Sequence, residues 1–532
     1  MQNLIESKSK IFSRNAVICL GIIGLTGFLI RLFYFPEGIP ITLDGTLYFW
    51  YANDLSVSGT FPDNFDLPNN GWPTFLSVFF YFFNSENFLD YMELQRYITV
   101  IISVTTIIPV FILCRKFCGN ELSLLGALLF VFQPRIIENS LSGLTEPLFI
   151  LLGLSCLVLF LQKDLKFNYL SFAFLALACL VRYEGIVLII PLSVFFLLKY
   201  RGDKKIILRY FIAISIFLLV LFPMISVRMD TMGYDGIVSH SMAAGIKFGE
   251  PDHYSEAYTV PSFTASLGII AFIKPAALAA FPIFFVFLPL GFFGFFRNRN
   301  FDKYVILFFM IFMLLPIIYA ASRDIADTRY FLTLFPILSV ISVYTVKEIT
   351  RKFNKTKLIS VMFAAAILLT SIAYLDYNKT DYEYELDAYH VGLEVSKRTS
   401  VINDYHPEVK YVHNKIDVAT NLEAFPILSS EIKQKVKLLA PTPVVKIDLS
   451  GCKRGDLFCY KSLNEFIDYG KKEGLTHLIA DENENRLKWL KDVFYNEEKF
   501  PYLTKIYDSS EHGYDYHLKI FKIDYEKFDS GK

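Results

Sequence analysis

Asp44 stands in PITLDGTLYFWYANDL, a few residues beyond the first long apolar stretch and ahead of a helical spacing of Leu47, Tyr51 and Leu55. A carboxylate at such a boundary can act as a general base toward an acceptor hydroxyl. Glu146 in SGLTEPLF, Arg182 and Glu184 in VRYEG, and Arg329 with Tyr330 in DTRYFLTLFP are further charges set in apolar sequence. Charges there are expensive to hold and mark candidate sites. Arg31, Arg96, Arg135, Arg182, Arg228 and Arg329 all fall near the same ends of the apolar stretches. A guanidinium stays charged and grips phosphate oxygens in pairs, so such a set suits a lipid phosphate or pyrophosphate. Each residue also has a structural reading: Asp44 as a helix cap, Glu146-Pro147 as a helix start with an acid on its dipole, Arg182 and Glu184 as a surface ion pair, and single arginines snorkelling to headgroups.

The elements that must position these residues are membrane helices. Of 532 residues, 54% are hydrophobic and only 20% charged, and the mean hydropathy of +0.40 is far above what a water-soluble surface allows. Apolar runs of about 20 residues match a bilayer's hydrocarbon core. About eleven are expected by hydropathy, at 16–35, 93–114, 119–134, 144–162, 168–181, 183–200, 206–228, 277–296, 303–321, 328–346 and 357–375. The first follows Lys8, Lys10 and Arg14 like a signal peptide but lacks a small-residue cleavage site, so it reads as a retained span. GWPTFLSVFFYFF, within the long segment 36–92, is too short to cross and reads as an interfacial or re-entrant helix. The loop 229–276 holds another such piece.

Lys and Arg collect at 8–14, 115–116, 163–166, 199–209, 297–303 and 347–357. With an odd number of spans and a cytoplasmic N-terminus, every cluster falls on the cytoplasmic side, as the positive-inside rule asks. The acidic loop holding Glu37, Asp44, Asp54, Asp63 and Asp66 then lies outside, as does the tail. This gives a membrane domain at 1–376, with outer loops 36–92 and 229–276, and a soluble extracytoplasmic α/β domain at 377–532. In the tail VKYVHN, KVKLLA, VVKIDL, THLIAD and HLKIFKI read as strands, and NEFIDYGKKEG and NRLKWLKDVFY as amphipathic helices. Cys452 and Cys459, in GCKRGDLFC, could close a disulfide in an oxidising compartment. The other cysteines sit in apolar stretches as packing, and His413 and His477 read as structural. Zero net charge without a basic stripe argues against a nucleic-acid partner.

On Arg31-Leu32, on Asp44 with Tyr48, Ala52, Leu55 and Gly59, on SGLTEPLF, VRYEG and the Arg329-Tyr330 start of a late span, the chain resembles the GT-C class of membrane glycosyltransferases. The resemblance is to the dolichyl-phosphate-mannose protein mannosyltransferase and aminoarabinose transferase superfamily and covers about residues 16–346. It implies an α-helical polytopic fold and transfer of a sugar from a polyprenyl phosphate carrier, a lipid-linked donor, to a protein, glycan or lipid acceptor, usually with inversion. Many relatives carry an Asp-Glu pair in the first loop; Asp44 matches the Asp, and Gly45 departs from the Glu. Asp44 is the implied base, Arg182 and Arg329, with Arg31 or Arg96 as alternates, hold the lipid phosphate, and Glu146 and Glu184 orient them or meet sugar hydroxyls. Parts of the class use a divalent metal, but a lone Asp44 without a His-rich set is a thin site. The competing reading is a multi-pass transporter or flippase of a lipid-linked or anionic substrate. Transporters favour paired repeats and charges near mid-membrane, whereas these charges gather at one surface. A sensor or assembly protein would account for the tail but not for Asp44 and the arginines.

Overall fold

A backbone shielded from water must satisfy its own N–H and C=O groups, so the apolar stretches fold as helices. The structure is a computed structural model that describes residues 13–41, 44–62, 67, 69–85, 88–241, 265–298, 300–322, 328–353, 355–380, 382–399, 462–472, 475–482 and 488–531. Its first helices are α1 (Arg14–Phe33), α2 (Asp44–Ser58), α3 (Gly71–Phe82), α4 (Phe88–Thr105), α5 (Ile107–Arg115) and α6 (Asn120–Val131). There follow α7 (Pro134–Ser140), α8 (Glu146–Phe160), α9 (Leu165–Val181), α10 (Ile189–Lys199) and α11 (Ile206–Met232). Beyond them run the helices Ala265–Ala280, Ile283–Phe296, Phe301–Ser322, Phe335–Phe353 and Thr356–Tyr377.

Helix falls on every apolar stretch expected from hydropathy. Among the described residues, however, only six helical stretches, counting α4 with α5 and Thr328–Leu334 with Phe335–Phe353 as one each, are long and apolar enough to cross a membrane. Two more stretches are bent pairs, α6 with α7 at 53° and Phe272–Ala280 with Ile283–Phe296 at 101°. Proline accounts for the breaks, because Pro134 opens α7 and Pro282 precedes Ile283, and neither residue can continue the hydrogen-bond ladder. α11 exposes Ile207, Leu208, Phe211, Leu218, Leu219 and Phe222, a face suited to lipid rather than water. This is a multi-pass membrane protein.

The chain divides into two compact units, one of Met1–Phe35, Asp66–Pro73 and Arg96–Lys379, the other of Pro36–Phe65, Thr74–Gln95 and Thr380–Lys532. In the first, α9 packs against α8 and α11, α5 against α6, and Ile283–Phe296 against Phe335–Phe353. Phe130, Phe160, Phe172, Phe196, Phe284 and Phe295 fill the core between them.

In the second unit Glu93 Oε1 accepts the Gly38 amide at 2.8 Å and Gln95 Nε2 donates to Gly45 O at 3.1 Å, fixing the start of α2. The tail contributes an antiparallel sheet in the order β1-β3-β2, of β1 (His477–Asp481), β2 (Leu503–Asp508) and β3 (Leu518–Ile523). Helices Leu463–Lys472 and Lys488–Tyr495 supply Phe466, Ile467, Leu490 and Val493 to its core. β1, β3 and both helices fall where the sequence places them. β2 is not among the expected strands: its exposed Thr504 and Lys505 interrupt the apolar pattern. VKYVHN, KVKLLA, VVKIDL, His413, Cys452 and Cys459 lie outside the described residues.

Candidate active site

VRYEG becomes a break between two helices. α9 ends at Val181, Arg182 takes extended backbone (φ −145°, ψ 118°), and a 3-10 turn, Tyr183–Leu188, leads into α10. A Cβ at Gly185 would come within 3.0 Å of the Phe149 ring. The missing side chain lets this turn press against α8 close to its start, where Pro147 occupies the first helical turn and Glu146 is 1% exposed.

That approach assembles an ion cluster. Arg182 Nη1 donates to Glu146 Oε1 at 2.5 Å and to Thr145 Oγ1 at 3.3 Å, while Nη2 donates to Glu184 Oε1 at 2.9 Å. A second 3-10 turn, Thr328–Leu334, precedes Phe335–Phe353 and carries Arg329 and Tyr330. The Arg182 guanidinium lies 5.3 Å from the Tyr330 ring centre and that of Arg329 5.9 Å from it, within cation–π range. Residues three apart eclipse on a 3-10 turn, which puts Tyr330 with Thr333, and Glu184 with Val187, on one lining. Together with Arg182, Arg329, Phe149, Met313 and Ile317 they line an open cavity.

Among the described residues two guanidiniums and two carboxylates balance in the cluster, so its use lies in where each charge points. Glu146 and Glu184 both hold Arg182, which fixes its orientation and compensates its charge. Glu184 Oε2 is buried and has no hydrogen-bond partner among the described residues. A buried acceptor in that state costs about 1–3 kcal/mol; a ligand hydroxyl would relieve it.

Each remaining candidate has its own setting. Asp44 opens α2 in the second unit, half-buried, on the face that continues through buried Tyr48 and Ala52. Arg31 is fully buried and donates to Ser140 Oγ at 2.9 Å, Gly27 O at 2.9 Å and Ser103 Oγ at 3.1 Å, tying α1 to α4 and α7. Arg96 Nε holds Leu141 O at 2.9 Å. Arg135 pairs with Glu138 at 3.1 Å and lies 5.4 Å from the Tyr374 ring centre. Arg228 Nη1 holds Leu67 O at 2.5 Å. Among the described residues no three His, Cys, Asp or Glu side chains gather as a metal centre would need.

Sequence reading missed the brace behind the cluster. Trp72, fully buried, donates its indole N–H to Gly143 O of SGLTEPLF at 3.2 Å, and Asn69 Oδ1 accepts the Tyr183 amide of VRYEG at 3.3 Å. Gly71 lies between them so close to α9 that a Cβ would meet Leu180 O at 2.4 Å. The start of the GWPTF segment therefore supports both motifs, and its buried Trp beside a Gly was the available signal.

Comparison with known proteins agrees with this architecture. The profile of the family described as dolichyl-phosphate-mannose-protein mannosyltransferase matches residues 78–227, which include Glu146, Arg182 and Glu184. Among solved structures, the Archaeoglobus fulgidus oligosaccharyltransferase in the apo form is similar with a TM-score of 0.55 at 12% identity, over 88% of this chain and 69% of that one. The fold is GT-C. The same archaeal enzyme, AglB, in complex with an inhibitory peptide and a dolichol-phosphate matches with a TM-score of 0.53 at 12% identity, over 88% and 69% of the two chains. ArnT from Cupriavidus metallidurans bound to undecaprenyl phosphate matches over 96% of this chain and 98% of that one, with a TM-score of 0.50 at 11% identity. No curated protein matches the sequence. The GT-C similarity thus extends well beyond the residues matched by the family profile.

Proposed function

We propose that this protein transfers a sugar from a polyprenyl phosphate carrier to an acceptor on the extracytoplasmic face of the cell membrane, with inversion. The observation that carries this reading is the cavity where Arg182, Glu184, Arg329 and Tyr330 meet beside apolar Phe149, Met313 and Ile317, in a GT-C fold whose solved examples include complexes with dolichol-phosphate and undecaprenyl phosphate. The guanidiniums of Arg329 and Arg182 take the carrier phosphate, because a phosphate leaving group needs its charge stabilised more than it needs a proton. The apolar wall takes the first isoprene units, and Glu184 Oε2 accepts a bond from a sugar hydroxyl. Glu146, buried behind Arg182, is a positioning residue. Asp44 serves as general base for the acceptor hydroxyl. One such carboxylate suffices, whereas hydrolysis of an ordinary glycosidic bond uses two. In this reading 1–376 is the catalytic membrane domain and 377–532 an extracytoplasmic domain that meets the acceptor.

The test is transfer of labelled sugar from a panel of polyprenyl-phosphate sugars to cell-envelope fractions by the purified full-length chain. Asp44→Asn should lower transfer by about 10²–10⁴-fold, the range for loss of a general base, with donor binding retained. Undiminished transfer by that variant removes Asp44 from the base role. No transfer from any carrier-linked sugar removes the reading altogether.

A further inference from the structure

A second pocket, outside the ion cluster, lies where α5 and α8 end. Ile112, Leu113, Val158 and Leu161 form its walls with Arg115, Lys116 and Gln162. Arg115 Nη1 donates to Cys118 O at 3.1 Å, but its Nε is buried without a partner among the described residues. Lys116 Nζ donates to Leu161 O at 2.7 Å and pairs with Asp302 at 3.2 Å. Lys199 Nζ, from the end of α10, adjoins the pocket by donating to Phe160 O and Gln162 O, each at 2.6 Å.

Helix C-termini each carry roughly half a negative charge, so two of them would repel an anion. Lys116 and Lys199 sit directly on the carbonyls responsible. Three cations against Asp302 and two helix ends leave a surplus of about one positive charge. A guanidinium that no carboxylate neutralises among the described residues, a nearby ammonium and four aliphatic side chains together fit a single phosphodiester continuing into hydrocarbon.

We propose that this pocket binds the phosphate of an anionic membrane phospholipid, with the glycerol and upper acyl chain against Ile112, Leu113, Val158 and Leu161. Basic residues concentrate at this end of the helices, which on the positive-inside argument is the cytoplasmic leaflet, so the site is separate from the donor's. The apolar walls favour a lipid over free phosphate, which would leave them wet.

Native mass spectrometry on the delipidated full-length protein tests this with phosphatidylglycerol, phosphatidylcholine and inorganic phosphate. One phosphatidylglycerol should be retained at concentrations where phosphatidylcholine is not, and millimolar phosphate should not displace it. Arg115→Gln should weaken retention about tenfold, or 1.4 kcal/mol. Gln162→Glu, which adds a charge at the rim without removing a bond that Arg115 makes, should weaken it similarly and serves where Arg115→Gln does not fold. Equal retention of both lipids, displacement by inorganic phosphate, or unchanged retention in the folded variants overturns the assignment. Because binding is read directly, failure here is distinguishable from failure of the transfer reaction.

Discussion

Arg182 meets two carboxylates, Glu146 and Glu184, at the edge of the cavity. Read alone, it is one of several arginines suited to a phosphate; in the fold two carboxylates hold it, and its orientation matters as much as its charge. Removing one partner of a buried pair costs about 3–5 kcal/mol because the other charge is left uncompensated. With Thr145 and Glu184 still on the guanidinium, Glu146→Gln should fall at the lower end of that range. Transfer should drop about a hundredfold through misplacement of the guanidinium, mainly in kcat. Glu184→Gln keeps one acceptor oxygen toward Arg182 and should instead raise the donor KM. Steady-state kinetics on both variants separates the roles, and equal effects on kcat and KM for the two would remove the distinction. Arg182, Glu184 and Arg329 were legible as candidates because charge in apolar sequence is costly wherever it occurs, and Tyr330 came only as the neighbour of Arg329. The division between cavity arginines and the bracing Arg31, Arg96 and Arg228 was not, since every one has the same sequence signature and only the partners differ.

Elements were legible to the extent that hydropathy alone decides them. Each apolar stretch is helical, but whether it runs straight depends on Pro134, Pro282 and the 3-10 turns at 183–188 and 328–334, and those turns carry Glu184, Arg329 and Tyr330 of the cavity. The tail obeys a different rule, set by alternation and burial. His477, at the start of β1, is 5% exposed and faces Lys522 in the register with β3. Burial first, and the Lys522 charge second, hold its imidazole below the usual range. The unfolded chain therefore binds the proton more tightly, so His477 favours the folded tail fully above about pH 6.5 and progressively less as pH falls toward the folded value. Amide exchange of Ile479 and Ile520 in the full-length protein, corrected for intrinsic rate, should show protection declining from pH 8 to pH 5. His477→Gln should flatten that decline, and an unchanged slope would assign it to other groups.

At the scale of the whole molecule, orientation turns on parity. Six long helices and two bent pairs, with α8, α9 and α10 joined to its preceding turn, make an odd number of crossings if every one spans. The N-terminus and the lysine clusters then share the cytoplasmic face, and the tail lies outside. α8 and α9 are short, at 15 and 17 residues, or about 22 and 25 Å at 1.5 Å per residue, against a hydrocarbon core of about 30 Å. The shortfall is modest, because Lys116 and Lys199 hold the carbonyls at and just beyond the α8 terminus and long cationic stems reach the headgroups. If one of these helices turned back, all later lysine clusters would face outward, against a bias that orients membrane proteins strongly. A reporter active only outside the cytoplasm should therefore be active when fused after Lys532 and inactive when inserted between Arg201 and Lys205. Activity at both positions, or at the inner one alone, would mean that the parity is wrong and that the Arg182 cavity opens toward the cytoplasm, where an externally facing carrier could not reach it.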